Sequence, residues 1–206
     1  MLCASCIHHF RRFARVCEPP DWPTGGMLYC GGVYSGALRS LIQRYKYDGE
    51  SYLAMPLSRL VGECIKGASF DMLVPVPSHV QRVAERKYNP AQLLARRLSL
   101  LCGLPCVNAL YKSEHTERQT LLDRRQRMAN LRGSFRPTAA GLRLVPGRCV
   151  LLVDDVYTTG ATSHCCVQSL LSMGARCVDV AVIAYTPKNP TGSTLVLNLC
   201  HKNPDT

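Results

Sequence analysis

The sequence lacks any apolar run approaching the roughly 20 residues that a membrane-spanning helix needs. Its start, Met1-Leu2-Cys3-Ala4-Ser5-Cys6, has no basic stretch leading into an apolar one, so no secretory signal is read there. A soluble, cytoplasmic protein is expected. Acidic residues are scarce, with 14 Asp and Glu against 25 Lys and Arg and a formal charge of +11. Aromatics make up only 7%, which leaves few platforms on which nucleic-acid bases could stack. Internal repeats and low-complexity tracts are also missing, which excludes a solenoid or a linker-like chain.

What is present describes one ordinary domain with a small appendage. The 206 residues are 47% apolar and 19% charged, enough to bury a core. The positive excess favours an anionic partner, whether nucleic acid, a phosphorylated small molecule or an acidic surface. Twelve cysteines without a secretory signal read as thiols or metal ligands rather than a disulfide framework. Cys64, Cys102, Cys106, Cys149, Cys177 and Cys200 stand singly among apolar residues and read as small core side chains. The adjacent Cys165 and Cys166 read as packing.

Composition shifts once. Residues 1–26 hold three cysteines, two adjacent histidines and an arginine cluster, then leave through a Pro/Gly-rich stretch that regular structure does not tolerate. This predicts a short N-terminal module over 1–26, a main domain over 27–190 and a tail over 191–206. In the main domain, strand patterns at 27–34, 72–74, 148–153 and 177–184 alternate with helical ones. Leu38, Leu41, Ile42 and Tyr45 recur at helical spacing, as do Leu93, Leu94, Leu98 and Leu101, and 161–173 reads as a helix ending at Gly174. The two late apolar strands have the near-continuous hydrophobicity of parallel strands covered on both faces. Strand, helix, strand in that order predicts a doubly wound α/β sheet.

The stretch with most chemistry is Val150-Leu151-Leu152-Val153-Asp154-Asp155-Val156-Tyr157-Thr158-Thr159-Gly160-Ala161-Thr162. An apolar strand ends in two carboxylates, and a Thr/Gly loop then opens a helix. In an open α/β sheet, ligands bind beyond the carboxyl ends of strands. Thr158, Thr159 and Thr162 offer hydroxyls, Gly160 admits close backbone approach, and loop N–H groups join the positive end of the helix dipole. This makes a cradle for a phosphate monoester. Asp154 and Asp155 would repel that phosphate but accept hydrogen bonds from a vicinal diol, while Mg²⁺ neutralises nearby diphosphate oxygens. The combination suits a ribose 5-phosphate.

Here the chain resembles the type I phosphoribosyltransferases, whose fingerprint is an apolar run, two acids, two apolar residues and a Thr-Gly loop. The fold this implies is a parallel sheet flanked by helices, here preceded by a short Cys-containing module. Further stretches resemble the competence protein F family: Asp71-Met72-Leu73-Val74-Pro75-Val76-Pro77 with Arg82, Arg86 and Asn89, Tyr34 to Arg39 with Lys46-Tyr47, Thr116-x-x-Gln119, and Arg127-x-x-Asn130-Leu131-x-Gly133-x-Phe135. The resemblance covers about residues 28 to 187. It implies phosphoribosyl diphosphate with Mg²⁺ bound at residues 154–162, with Asp154 and Asp155 central to any catalysis. It implies diphosphate contacts from Arg82, Arg86 and Lys87, and a flap bearing His115, Arg118 and Gln119. Lys87 stands where the family pattern has glycine, so its charge is expected to contribute instead. Thr158 stands where purine-salvage relatives carry an acid that holds the base.

Family members also carry an N-terminal zinc ribbon. Here Cys3 and Cys6 form one pair, Cys17 stands where the last ligand would fall, and His8 or His9 would complete a set of four. The resemblance associates the protein with natural competence, acting on incoming single-stranded DNA beside a helicase. Arginine clusters at Arg11-Arg12, Arg96-Arg97 and Arg124-Arg125-x-Arg127 would serve phosphate backbones without reading sequence. The same cradle fits a metabolic enzyme transferring a phosphoribosyl group to a nitrogen nucleophile, and a sensor that binds phosphoribosyl diphosphate without turning it over.

Overall fold

The computed structural model describes the backbone of residues 15–17 and the whole of residues 26–113 and 133–187. A short edge strand β1 (Arg15–Cys17) runs antiparallel to β2 (Leu28–Cys30). Helices α1 (Gly36–Tyr47) and α2 (Ala54–Cys64) follow, with one 3₁₀ turn, Ser51–Leu53, between them. Next come β3 (Met72–Pro75), α3 (Val80–Arg86) and α4 (Pro90–Cys102). Strands β4 (Leu110–Lys112) and β5 (Phe135–Pro137) pair antiparallel as a separate two-stranded sheet. After α5 (Ala139–Leu144), the unit β6 (Cys149–Tyr157), α6 (Ala161–Ser172), β7 (Cys177–Tyr185) completes the main sheet.

That sheet has the order β1-β2-β7-β6-β3, and every pairing except β1 with β2 is parallel. The strands are apolar on both faces because both are covered. Val150 and Leu152 of β6 face one cluster with Val167 and Leu170 of α6. Leu151 and Val153 face the other, built on Leu57 and Leu60 of α2 and Leu94 and Leu98 of α4. Period-two alternation along one strand thus feeds two cores. The expected parallel sheet flanked by helices is what the structure shows, and none of the helices among the described residues is long and apolar enough to cross a membrane.

Local signals place the helix ends. Asn89 caps α4, its Oδ1 accepting the N–H groups of Ala91 at 3.0 Å and Gln92 at 3.4 Å, with Pro90 in the first turn. Thr138 caps α5 by accepting the Gly141 N–H at 3.0 Å.

Two expectations need correction. β6 does not stop at Val153: it continues through both acids to Tyr157, because β7 supplies partners out to Tyr185, with Asp154 opposite Val182 and Tyr157 opposite Tyr185. Cys149 and Cys177 are not isolated core thiols. They are register neighbours at the starts of β6 and β7, with Cα atoms 4.6 Å apart, and are joined as a disulfide. Nor is Cys102 a core side chain: it ends α4 and is exposed, whereas Cys64 and Cys106 are half-buried. Cys165 and Cys166 are buried in the first cluster as packing. Cys200 lies outside the described residues.

Candidate functional site

A cleft of about 290 Å³ opens at the carboxyl end of the sheet. Strand β6, the turn after it and the first turn of α6 form its floor, contributing Asp154, Asp155, Val156, Thr158 and Thr162. The residues following β3, Val76 to His79, form one wall together with Arg82 and Arg86 of α3. Lys46 and Tyr47, at the end of α1, and Tyr34 form another, and Lys112 and Phe135 reach in from the two-stranded sheet. The acids sit here because β6 reaches the cleft before it turns, and parallel strands end together on the side where their helices begin.

The turn after β6 is shaped by Gly160, which precedes α6 with φ +78°. A side chain there would be strained by the left-handed backbone and would also meet the Tyr157 ring, whose Cζ lies 2.5 Å from a Cβ built at that position. Thr159 Oγ1 accepts the Ala161 N–H at 3.4 Å, and the Gly160 carbonyl accepts the His164 N–H at 2.8 Å. The first-turn N–H groups of α6 lack intrahelical acceptors by construction and carry the positive end of its dipole. Thr158 and Thr162 reach the cleft, while Tyr157, Thr159, Gly160 and Ala161 shape the turn behind it.

The two carboxylates differ. Asp155 Oδ1 lies 2.7 Å from Lys46 Nζ, and the two side chains are only 13% and 16% exposed. Asp154 accepts the Asp155 N–H at 2.8 Å. Burial, then the neighbouring Asp155 charge, push the Asp154 carboxyl up to about 8, against the opposing pull of that hydrogen bond and of Lys46. Across the cleft, burial lowers the Lys112 ammonium from its ordinary value, with nearby Arg82 acting in the same direction. Arg86 stacks over the Tyr47 ring with its guanidinium carbon 4.6 Å from the ring centre.

The structure therefore brings Asp154, Asp155, Val156, Thr158, Thr162, Arg82 and Arg86 together in one cleft. Lys87 is not brought in. It ends α3 in the left-handed region with φ 65°, the conformation its missing glycine would have supplied, and its side chain is exposed outside the cleft. His115, Arg118 and Gln119 lie outside the described residues, as do Cys3, Cys6, His8 and His9. Cys17 is described only through its backbone in β1. Among the described residues no group of three or more metal-ligating side chains converges.

Sequence reasoning gave no site role to Lys46, Lys112 or His79. Lys46 had a signal: buried Leu38, Ile42 and Tyr45 set the inward face of α1, and the residue after Tyr45 must emerge at its edge. Lys112 had none.

Hard oxygen donors such as Asp154 and Asp155 are of the kind Mg²⁺ takes. Asp155 is already held by Lys46, however, and burial favours the neutral form of Asp154. The pair as it stands therefore fits hydrogen-bonding hydroxyls better than a lone divalent cation.

A parallel sheet flanked by helices, with paired acids and a Thr-Gly turn at the carboxyl end of strand β6, makes this a protein of type I phosphoribosyltransferase-like fold. No family model matches the chain. Competence protein F of Haemophilus influenzae is 30% identical over 191 residues, which cover 86% of this chain and 82% of that protein. The DNA utilization protein YhgH of Escherichia coli is 34% identical over 179 residues, covering 82% of this chain and 75% of its own. The chain belongs to the competence protein F family. Among solved structures, the glutamine phosphoribosylpyrophosphate amidotransferase of B. subtilis superposes with a TM-score of 0.49 at 20% identity, over 68% of this chain and 30% of that one, so this chain spans under a third of its length.

Proposed function

We propose that the cleft binds phosphoribosyl diphosphate together with Mg²⁺, and that the protein acts in handling single-stranded DNA taken up during natural competence. One observation carries the first part: the acidic pair and the Thr158–Thr162 turn face Arg82, Arg86 and Lys112 across a single cleft. The turn and the α6 N-terminus would hold the 5-phosphate. Asp154 and Asp155 would accept from the ribose hydroxyls, and the cations opposite would face the diphosphate, where bound Mg²⁺ would stabilise departing charge. Any turnover would rest on positioning and on that electrostatic stabilisation.

The DNA part is supported by the names of the relatives, a competence protein and a DNA utilization protein, and by the charge of +11. Arg96 and Arg97 of α4 also stand exposed on the outer face of the domain. A competence helicase as partner, and zinc in the N-terminal module, extend the same reading.

The experiment is calorimetry of phosphoribosyl diphosphate with Mg²⁺ against the protein and its Asp154→Asn/Asp155→Asn double variant. Losing the charge-assisted hydrogen bonds of Asp155 costs roughly 1.5–3 kcal/mol, so affinity should fall at least tenfold. Unchanged affinity would remove these residues from the site. Release of diphosphate with a nucleobase, and not with single-stranded DNA, would favour a metabolic phosphoribosyltransferase acting on a nitrogen nucleophile.

A further inference from the structure

Lys46 is fixed in place by features that need no ligand. Its neighbour Tyr45 is fully buried and donates its hydroxyl to the Pro90 carbonyl at 2.7 Å, and the Tyr88 hydroxyl donates to the Tyr45 carbonyl. On the other side, Tyr47 lies beneath Arg86. The last turn of α1 is thus clamped at both flanks, and Lys46 meets Asp155 at 2.7 Å in largely enclosed surroundings. A close ion pair so screened from water has a substantial electrostatic coupling.

The charge pattern around this pair is lopsided. Lys46, Arg82, Arg86 and Lys112 face only two carboxylates in the same cleft. A free divalent cation arriving there meets a net positive field and finds its best oxygen donor, Asp155, occupied. A polyanionic sugar diphosphate meets the opposite situation, since its charge matches the four cations and it brings its own Mg²⁺, which binds readily through phosphate oxygens.

We propose that Lys46 is an internal counterion that orders ligand entry: it keeps a lone divalent cation off the acidic pair, so the metal enters only as a complex with the diphosphate ligand. When the sugar hydroxyls take Asp155, the Lys46 ammonium turns from the carboxylate to the anionic oxygens of the ligand. Lys46 is a positioning residue in this account, with a double role that a merely structural ion pair would not have. The second role rests on the reading given under Proposed function, whereas the first concerns only the protein and a metal ion.

Mn²⁺, whose free and bound forms are distinguished by electron paramagnetic resonance, serves as the probe on the full chain. Without other ligands the wild-type protein should show no site tighter than the millimolar range. Lys46→Met should gain a site at least tenfold tighter, which Asp155→Asn on that background should abolish. Lys46→Arg, which keeps the charge, should exclude Mn²⁺ as the wild type does, and this guards against an effect of misfolding. Calorimetry of phosphoribosyl diphosphate with Mn²⁺ should show at least tenfold weaker binding to Lys46→Met. Equal Mn²⁺ affinity in wild type and Lys46→Met would overturn the counterion role. Unchanged binding of the complex by Lys46→Met would overturn the handover. Failure of the wild type to bind the complex at all would sink the proposed function, while the metal titration would still decide the counterion role.

Discussion

The two ends of strand β6 use acidic residues in opposite ways. At the amino end, Asp71 lies beside the start of the strand and is matched by what surrounds it. Its Oδ2 accepts the Cys149 N–H at 2.7 Å, its own N–H donates to the Cys149 carbonyl at 2.8 Å, and Arg148 and Arg176 stand 3.6 and 3.9 Å away. The same end is closed by the Cys149–Cys177 disulfide, with Arg176 Nε donating to Cys149 Sγ at 3.3 Å. At the carboxyl end, Asp154 and Asp155 crowd each other, and the cation nearest to them comes from α1, more than a hundred residues earlier in the chain. One end satisfies its polar groups locally and joins strands. The other holds a carboxyl in a state it would not choose in water, an arrangement that clusters where ligands bind.

The sharpest way to break this comparison is pH. The unfolded Asp154 titrates near its ordinary 3.8, and the folded group near 8. Between these values the folded protein holds one more proton than the unfolded one, so stability is fully present below the unfolded value and is lost as pH rises through the folded one. Stability should therefore decline steadily as pH rises across the weakly acidic to neutral range. Asp154→Asn should flatten this part of the urea-unfolding profile. An Asp71→Asn variant, at the matched end, should leave the slope in place. If Asp154→Asn keeps the full slope, the strain lies elsewhere.

The amino end is tested by reduction. A cross-link closing a loop of 28 residues constrains the unfolded chain by roughly 3.5 kcal/mol in the chain-entropy account. Denaturant midpoints should therefore fall on adding dithiothreitol, Cys149→Ser should match the reduced wild type, and reductant should not affect that variant further. Affinity for the sugar diphosphate should not change, because the bridge and the cleft lie at opposite ends of the strand. A midpoint indifferent to reductant would show that the bridge does not stabilise the fold, and a loss of affinity would show that the two ends are coupled.

What could be read from the sequence follows the range of the forces involved. The apolar runs of β6 and β7, the helical spacing of α1 and α4, and the acid-acid-Thr-Gly order are local patterns, and the structure reproduces them. The extension of β6 through Asp154 and Asp155 was not legible, because aspartate disfavours strands and only pairing with Val182 to Tyr185 of β7 overrides that. The cysteine pair was hidden for a related reason. Neither strand alone states its register against the other, and without the register nothing distinguishes Cys149 and Cys177 from core residues. Lys112 enters the cleft from a two-stranded sheet whose existence depends on Leu110 meeting Pro137, and Lys112 itself meeting Phe135, across intervening chain. Positions decided by long-range pairing are those that a linear pattern does not carry.

Lys87 offers the smallest and most local test, at the rim of the cleft. The family resemblance assigns the position to glycine and suggested that lysine supplies charge in its place, but the backbone is left-handed with φ 65°, the one non-glycine residue among those described with positive φ. An L-residue in that region is disfavoured by roughly 1 kcal/mol or more relative to the right-handed form, while glycine gives back part of that advantage through its freer unfolded chain. Lys87→Gly should therefore stabilise the protein by up to about 1 kcal/mol, and Lys87→Ala, which removes the charge but keeps the Cβ, should not. The exposed ammonium lies outside the cleft, so both variants should bind phosphoribosyl diphosphate within about twofold of the wild type. A loss of affinity shared by both variants, with no gain in stability for glycine, would return Lys87 to the diphosphate side. A gain confined to glycine would make it a helix-end residue that tolerates strain beside the site without taking part in it.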